Sequence, residues 1–240
     1  MKQDATLHSH HISRQFNSDL EEIKNNMLEM GGMVEKQLTD AIDAIISADS
    51  GLGQLVRDGD ASINAMEVKI DEECNRILVR RQPAASDLRL VLSIIKTVND
   101  LERIGDESAK IARLAIELTE DGDSSKGYIE IRHIGERVRN MVYMALDAFA
   151  RYDVDAALAV AKEDVNVDME YSTAMREMIT YMIEDPRCIT RVLNVVWVLR
   201  SLERVGDHAK NIAEHVIYMV KGTDVRHLGL SGLEEQVKSE

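Results

Sequence analysis

Two stretches of this chain are near-copies of each other, and a duplicated segment is constrained to fold twice into the same local structure. Residues 88–119 laid on 189–220, an offset of 101, share ten identities. They are densest where Leu101-Glu102-Arg103-Ile104-Gly105-Asp106 meets Leu202-Glu203-Arg204-Val205-Gly206-Asp207. Upstream the offset is 104: Ala41-Ile42-Asp43-Ala44-Ile45 falls on Ala145-Leu146-Asp147-Ala148-Phe149, Asp60 on Asp164, Asn64 on Asp168 and Gly31 on Gly135. The difference of three places a short deletion ahead of the last segment of the second copy. Self-similarity at a fixed period makes each copy one structural unit. The chain's two prolines, Pro83 and Pro186, mark the same junction in both halves, where a helix's first turn tolerates them.

Each copy reads as three long helices, at about 17–47, 52–80 and 84–118, then 128–151, 153–184 and 187–221. With 2 Pro, 13 Gly and 4% aromatic residues there is little material for strands and tight turns, while the Ala, Leu, Met, Glu and Arg that dominate are strong helix formers. Short connections make neighbouring helices antiparallel, and thirty residues of helix span about 45 Å. The expected fold is therefore all-α, a tandem repeat of two antiparallel three-helix bundles: residues 1–122, then 123–222, then a tail 223–240 of weak periodicity and partial disorder.

Several function classes drop out. A net charge of −14 works against neutralising nucleic-acid phosphates, so no direct nucleic-acid partner is expected. The longest near-apolar run, Val192–Leu199, is interrupted by Asn194 and flanked by Arg191 and Arg200, well short of the twenty or so residues that span a bilayer. The first residues carry no apolar signal segment, and Cys74 and Cys188 have no paired spacing. A cytosolic chain with two reduced, core-packed thiols follows.

The carboxylates carry the chemistry. Projected at 100° per residue from Ile95, Leu88, Val91, Leu92 and Val98 lie on one apolar face, and Glu102 and Asp106 fall near its centre. Glu203 and Asp207 do the same relative to Val196. On the preceding segment, Ala157 and Ala161 lead to Asp164 and Asp168 before Met175 and Met178, and copy one offers Asp60, Asn64 and Glu67. Like charges at i and i+4 repel, and burying one is costly without compensation. A hard cation bridging facing helices supplies that compensation, Mg, Mn or Fe ahead of Zn for an all-oxygen donor set. Gly105 and Gly206, between the paired acids, cost about 1 kcal/mol each relative to Ala and permit close approach of an ion or a helix. The alternative stands beside it: the acids line an exposed groove or pair with Arg103, Arg204, Arg80 or Arg81.

These residues, LERIGDESAKIA and LERVGDHAKNIA with the preceding RRQPAASDLRLV, resemble the PhoU family of phosphate-signalling regulators over nearly the whole chain. The resemblance implies a cytoplasmic, usually homodimeric helical protein without catalytic activity. It implies association with the ATPase subunit of the phosphate ABC transporter and with a sensor histidine kinase, restraining the phosphate-starvation response when phosphate is ample. It also implies clustered metal ions on recurring E/D-x-x-x-D motifs, matched here by Glu102/Asp106, Glu203/Asp207 and Asp164/Asp168. Asn64, where the second copy has Asp168, departs from that pattern; asparagine is neutral and a weaker ligand, so the two sites are open to differ in occupancy or metal. The rival reading is a metal-dependent oxidase or phosphohydrolase, which lacks an obvious nucleophile and paired Glu-x-x-His motifs; Glu130-x-x-His133 occurs singly.

The remaining features have plainer readings. His8, His10 and His11 belong to a mobile arm, His208 lies next to the site without being a ligand, and the methionines pack the core. Gly31 and Gly135 mark a close helix crossing. Arg80, Arg81 and Arg89 form a salt-bridge network with Asp87 and Glu73.

Overall fold

The computed structural model describes residues 2–81, 83–120 and 128–238, with side chains from Arg14 onward; His8, His10 and His11 lie outside the described side chains. The described residues form α1 (Lys2–Ile46), α2 (Ser50–Arg81), α3 (Ala85–Glu120), α4 (Tyr128–Arg151), α5 (Val154–Glu184), a 3₁₀ turn (Pro186–Cys188), α6 (Ile189–Lys221) and α7 (Leu230–Lys238). All six expected helices are present with ends within a few residues, except that α1 begins at Lys2 rather than near residue 17. The tail holds a further helix, α7, packed on α5 and α6. Leu233 anchors it in the core, and Lys162 pairs with Glu234 at 2.6 Å.

α1, α2 and α3 pack pairwise, as do α4, α5 and α6; α3 against α6 and α1 against α4 join the two sets. Their buried side chains form one continuous apolar cluster. Gly31 faces Leu146 across the α1–α4 crossing and Gly135 faces Ile42. Ile42 and Leu146 are themselves equivalent positions of the repeat, so the contact is reciprocal, as a two-fold relation between copies requires. An added Cβ at Gly31 would stand 2.8 Å from Leu146 and one at Gly135 3.2 Å from Ile42.

The turns repeat as well. Ala48 (φ 51°) and Tyr152 (φ 58°), equivalent positions, end α1 and α4 in the left-handed conformation. The amides of Asp49 and Asp153 then reach back to the carbonyls of Ala44 and Ala148, both at 2.9 Å, closing the helix end. The same aspartates cap the next helix, accepting from the amides of Leu52 and Ala156, again at 2.9 Å. Each connection thus needs only a few residues, which forces the antiparallel course. Pro83 lies outside α3 and Pro186 opens the 3₁₀ turn before α6.

The expected arginine network is dispersed. Arg81 pairs with Asp19, whereas Arg89 crosses to the other copy and donates from Nε to the Met219 carbonyl at 3.3 Å, near the end of α6. Cys74 is buried and Cys188 partly so, both as free thiols.

Candidate functional site

The carboxylates collect in two grooves, one per copy. In the first, Asp60, Asn64 and Glu67 from α2 face Glu102 and Asp106 from α3. Gln37 of α1 donates from Nε2 to Asp60 Oδ1 at 3.2 Å, and Asn64 donates to Asp60 Oδ2 at 3.4 Å. In the second, Asp164 and Asp168 from α5 face Glu203 and Asp207 from α6. The helix periodicity that sets these residues on facing sides is the one read from the sequence, with one correction. Of the eight, only Asp164 is buried (2% exposed); Asp60, Glu102, Asp106 and Glu203 are half-buried, and Asn64, Asp168 and Asp207 are exposed. The buried stripe of α3 runs through Val91, Ile94, Val98, Leu101 and Ile104, so Glu102 and Asp106 lie along its edge. Projection from Ile95, itself only partly buried, displaced the centre of the face.

The acids nevertheless crowd one another. Burial first, then the charge of Asp106, raises the Glu102 carboxyl above its ordinary pKa, and burial with the charges of Glu102 and Asp71 raises Glu67. In the second groove burial raises Glu203, with Asp207, Asp168 and Asp164 adding to it. Although both residues keep solvent contact, partial desolvation in the groove raises Asp207, with the charges of Asp164 and Asp168 adding to it, and raises Asp168, with Asp164 adding to it. Glu67 thus supplies the negative charge that Asn64 lacks. It sits seven residues, two helical turns, beyond Asp60, a spacing visible in the sequence.

Protein cations answer part of this charge. Arg103 approaches Glu102 Oε2 and Asp106 Oδ2, each at 3.3 Å, although the Glu102 contact is off-line for a hydrogen bond. Arg200 pairs with Glu203 Oε1 at 2.7 Å and Lys210 with Asp164 Oδ2 at 2.7 Å. Arg204 turns away to Glu107 at 2.8 Å. Lys210 escaped the sequence reading because its equivalent in copy one is Ala109. Gly105 accommodates Gln37, whose Oε1 would lie 3.2 Å from a Cβ there, whereas a Cβ at Gly206 would make only ordinary contact with Val167, Val138 and Asp164. Only Gly105 is needed for the close approach of a neighbouring helix's side chain.

Three buried oxygens in these grooves, Gln37 Oε1, Glu102 Oε2 and Glu203 Oε2, have no hydrogen-bond partner. Such orphaned acceptors suit a cation, and the carboxylate-rich donor set suits a hard one. Among the described residues no three His, Cys, Asp or Glu side chains already stand as a metal-holding group, so the donors fit in kind and lie apart in position.

A second polar cluster went unread. At the α3–α6 seam the buried Asp100 accepts from Asn211 Nδ2 at 3.1 Å and meets His208 Nδ1 at 2.8 Å and His215 Nε2 at 2.9 Å. Burial alone would raise this carboxyl; the contacts with His208 and His215 outweigh it and hold it below its ordinary pKa. Nearby, burial pushes the Glu214 carboxyl up to about 7. The 208, 211, 215 spacing on one face of α6 was the available signal. His208 is therefore spoken for by Asp100.

The PhoU domain family model matches residues 27–115 and again 131–216, once in each copy. Among curated proteins the chain is 64% identical over 231 residues to the "Phosphate-specific transport system accessory protein PhoU homolog" of Pseudomonas aeruginosa, covering 96% of both. It is 47% identical over 225 residues to the PhoU accessory protein of Escherichia coli, covering 94% of this chain and 93% of that one. Among solved structures, the crystal structure of PhoU from Pseudomonas aeruginosa superposes with a TM-score of 0.85 at 64% identity, covering 87% of this chain and all of that one. The phosphate transport system regulatory protein PhoU from Streptococcus pneumoniae gives 0.81 at 29% identity, covering 88% and 99%. The chain belongs to the PhoU family.

Proposed function

We propose that this protein is a non-enzymatic cytoplasmic adaptor of a phosphate transport system. In this reading it acts as a homodimer between the transporter's ATPase subunit and a sensor histidine kinase, and it restrains the phosphate-starvation response when phosphate is ample. The observation that carries the reading is similarity across nearly the full chain to accessory proteins of phosphate-specific transport. Among the described residues no helix is long and apolar enough to cross a membrane; in this reading the protein acts on the transporter by docking. An adaptor shifts signalling only through different affinities for two states of its partners, and the α3–α6 packing that joins the two copies gives such a device its frame.

Divalent or iron-type ions are part of the proposal. Asp60, Asn64, Glu67, Glu102 and Asp106 would hold one group, and Asp164, Asp168, Glu203 and Asp207 the other. Bound cations would neutralise the crowded carboxylates, satisfy the orphaned oxygens and set a local positive charge on an acidic molecule. The second site has the greater carboxylate density in its α5 pair, offset by Lys210.

The test is a clean deletion. Starvation-response genes are expected to become constitutive in high phosphate; normal repression would overturn the regulatory reading. Elemental analysis of untagged protein, with Asp207→Asn and Glu102→Gln beside it, tests the metal sites separately. Less than one ion per chain, unaltered by either substitution, would remove them.

A further inference from the structure

The α3–α6 seam carries two grooves at equivalent positions of the repeat, and they have diverged. One is lined by Lys96, Asn99, Asp100, Glu214 and His215, together with Arg226 and His227 from the segment following α6. Arg226 there is already paired with Asp224 of its own segment at 2.6 Å. The equivalent groove is lined by Glu107, Lys110, Arg113, Trp197, Arg200 and Arg204. Trp197 stands where the first groove has Lys96, Arg200 where it has Asn99, and Arg113 where it has Glu214.

This second groove is open and continues into an apolar strip. Trp197 is 59% exposed, Leu193 42% and Ile189 40%. Spaced four residues apart on α6, they share one face with Arg200 and Arg204, a strip about 22 Å long. Glu107, buried beneath, is shared by Lys110 at 2.9 Å and Arg204 at 2.8 Å, which leaves one positive charge unanswered. Arg113 and Arg200 keep half-exposed guanidinium groups while pairing with Glu117 and Glu203. On a protein of net charge −14, a cationic groove running into exposed tryptophan and leucine is a docking surface of opposite character to the rest of the molecule.

We propose that this groove, cationic at one end and apolar at the other, binds an acidic, apolar-anchored segment of a partner protein. Carboxylates of that segment meet Lys110, Arg113, Arg200 and Arg204, and its apolar side chains rest on Trp197, Leu193 and Ile189. The inference deepens the adaptor reading and rests on it. A continuous groove between two helices fits a chain segment better than a compact anion or a flat membrane.

The protein has a single tryptophan, so full-length protein labelled with 5-fluorotryptophan reports the groove through one fluorine resonance. It is titrated with the purified ATPase subunit and with the cytoplasmic part of the kinase. One of them is expected to shift the resonance, with affinity falling at least tenfold in Leu193→Glu and in Arg113→Glu and also falling with added salt. Val79→Glu, on the exposed side of α2, is expected to bind unchanged. Thermal melting confirms that each variant folds. Binding that survives both groove substitutions overturns the inference and leaves the adaptor reading standing; binding of neither partner overturns both. A shift produced by self-association, by anionic vesicles or by inorganic phosphate assigns the groove elsewhere and also overturns it.

Discussion

Glu214 shows how much a single buried acid matters here. It is 5% exposed, and burial lifts its pKa from 4.5 to about 7, with Lys210 opposing the rise. The folded state therefore holds a proton that the unfolded chain has released, and stability falls as pH climbs from about 4.5 through 7. Glu214→Gln keeps the neutral shape without the titration. The variant is expected to match the parent near pH 4.5 and to exceed it at pH 8.5 by up to about 3 kcal/mol, measured by urea unfolding across that range. A difference that stays flat with pH would show that Glu214 is ionised throughout. Residues of this kind were the hardest to read in advance. Spacing exposes an acid on an apolar face, but the partners that decide its fate, such as Lys210 for Asp164 or His208 and His215 for Asp100, sit on another helix or lack an equivalent in the other copy.

At the scale of helices, Gly31 and Gly32 are neighbours with opposite roles. Both lie inside α1, where glycine costs about 1 kcal/mol relative to alanine. Nothing stands within 4 Å of a Cβ at Gly32, whereas one at Gly31 would meet Leu146 Cδ1 and Cδ2 at 2.8 Å. Gly32→Ala is expected to stabilise the fold by up to about 1 kcal/mol. Gly31→Ala is expected to lose about 1 kcal/mol once overpacking, roughly 1–3 kcal/mol, is set against the same propensity gain. Chemical denaturation of the pair checks this, and equal effects would mean that the α1–α4 crossing gives way freely. The crossing itself was legible because Gly31 and Gly135 recur in register. The six helices were legible for the same reason, their turns being written twice at Ala48-Asp49 and Tyr152-Asp153. α7 was not, since a nine-residue helix with one buried anchor, Leu233, leaves almost no periodic signal and has no repeat to confirm it.

For the whole molecule the governing quantity is negative charge concentrated in two grooves. Glu67, Glu102, Asp168, Glu203 and Asp207 all have pKa values raised by burial and by one another. A raised carboxyl contributes a loss of stability as pH rises above the ordinary carboxylate range, because the folded state resists giving up its proton. A bound divalent ion reverses that loss, and it does so only where the ligands are ionised. In chelator-treated protein, manganese is expected to raise the melting temperature more at pH 7.5 than at pH 5. At a hundred times its dissociation constant an ion adds about 2.7 kcal/mol, roughly 5–10 °C for a chain of this length. Glu102→Gln and Glu203→Gln each remove one carboxylate from a different groove, so each single variant should lose part of the gain and the double variant most of it. An equal rise at both pH values, or one matched by sodium at the same ionic strength, would mean that the ion screens the surface and that the grooves discharge themselves through Arg103, Arg200 and Lys210 alone.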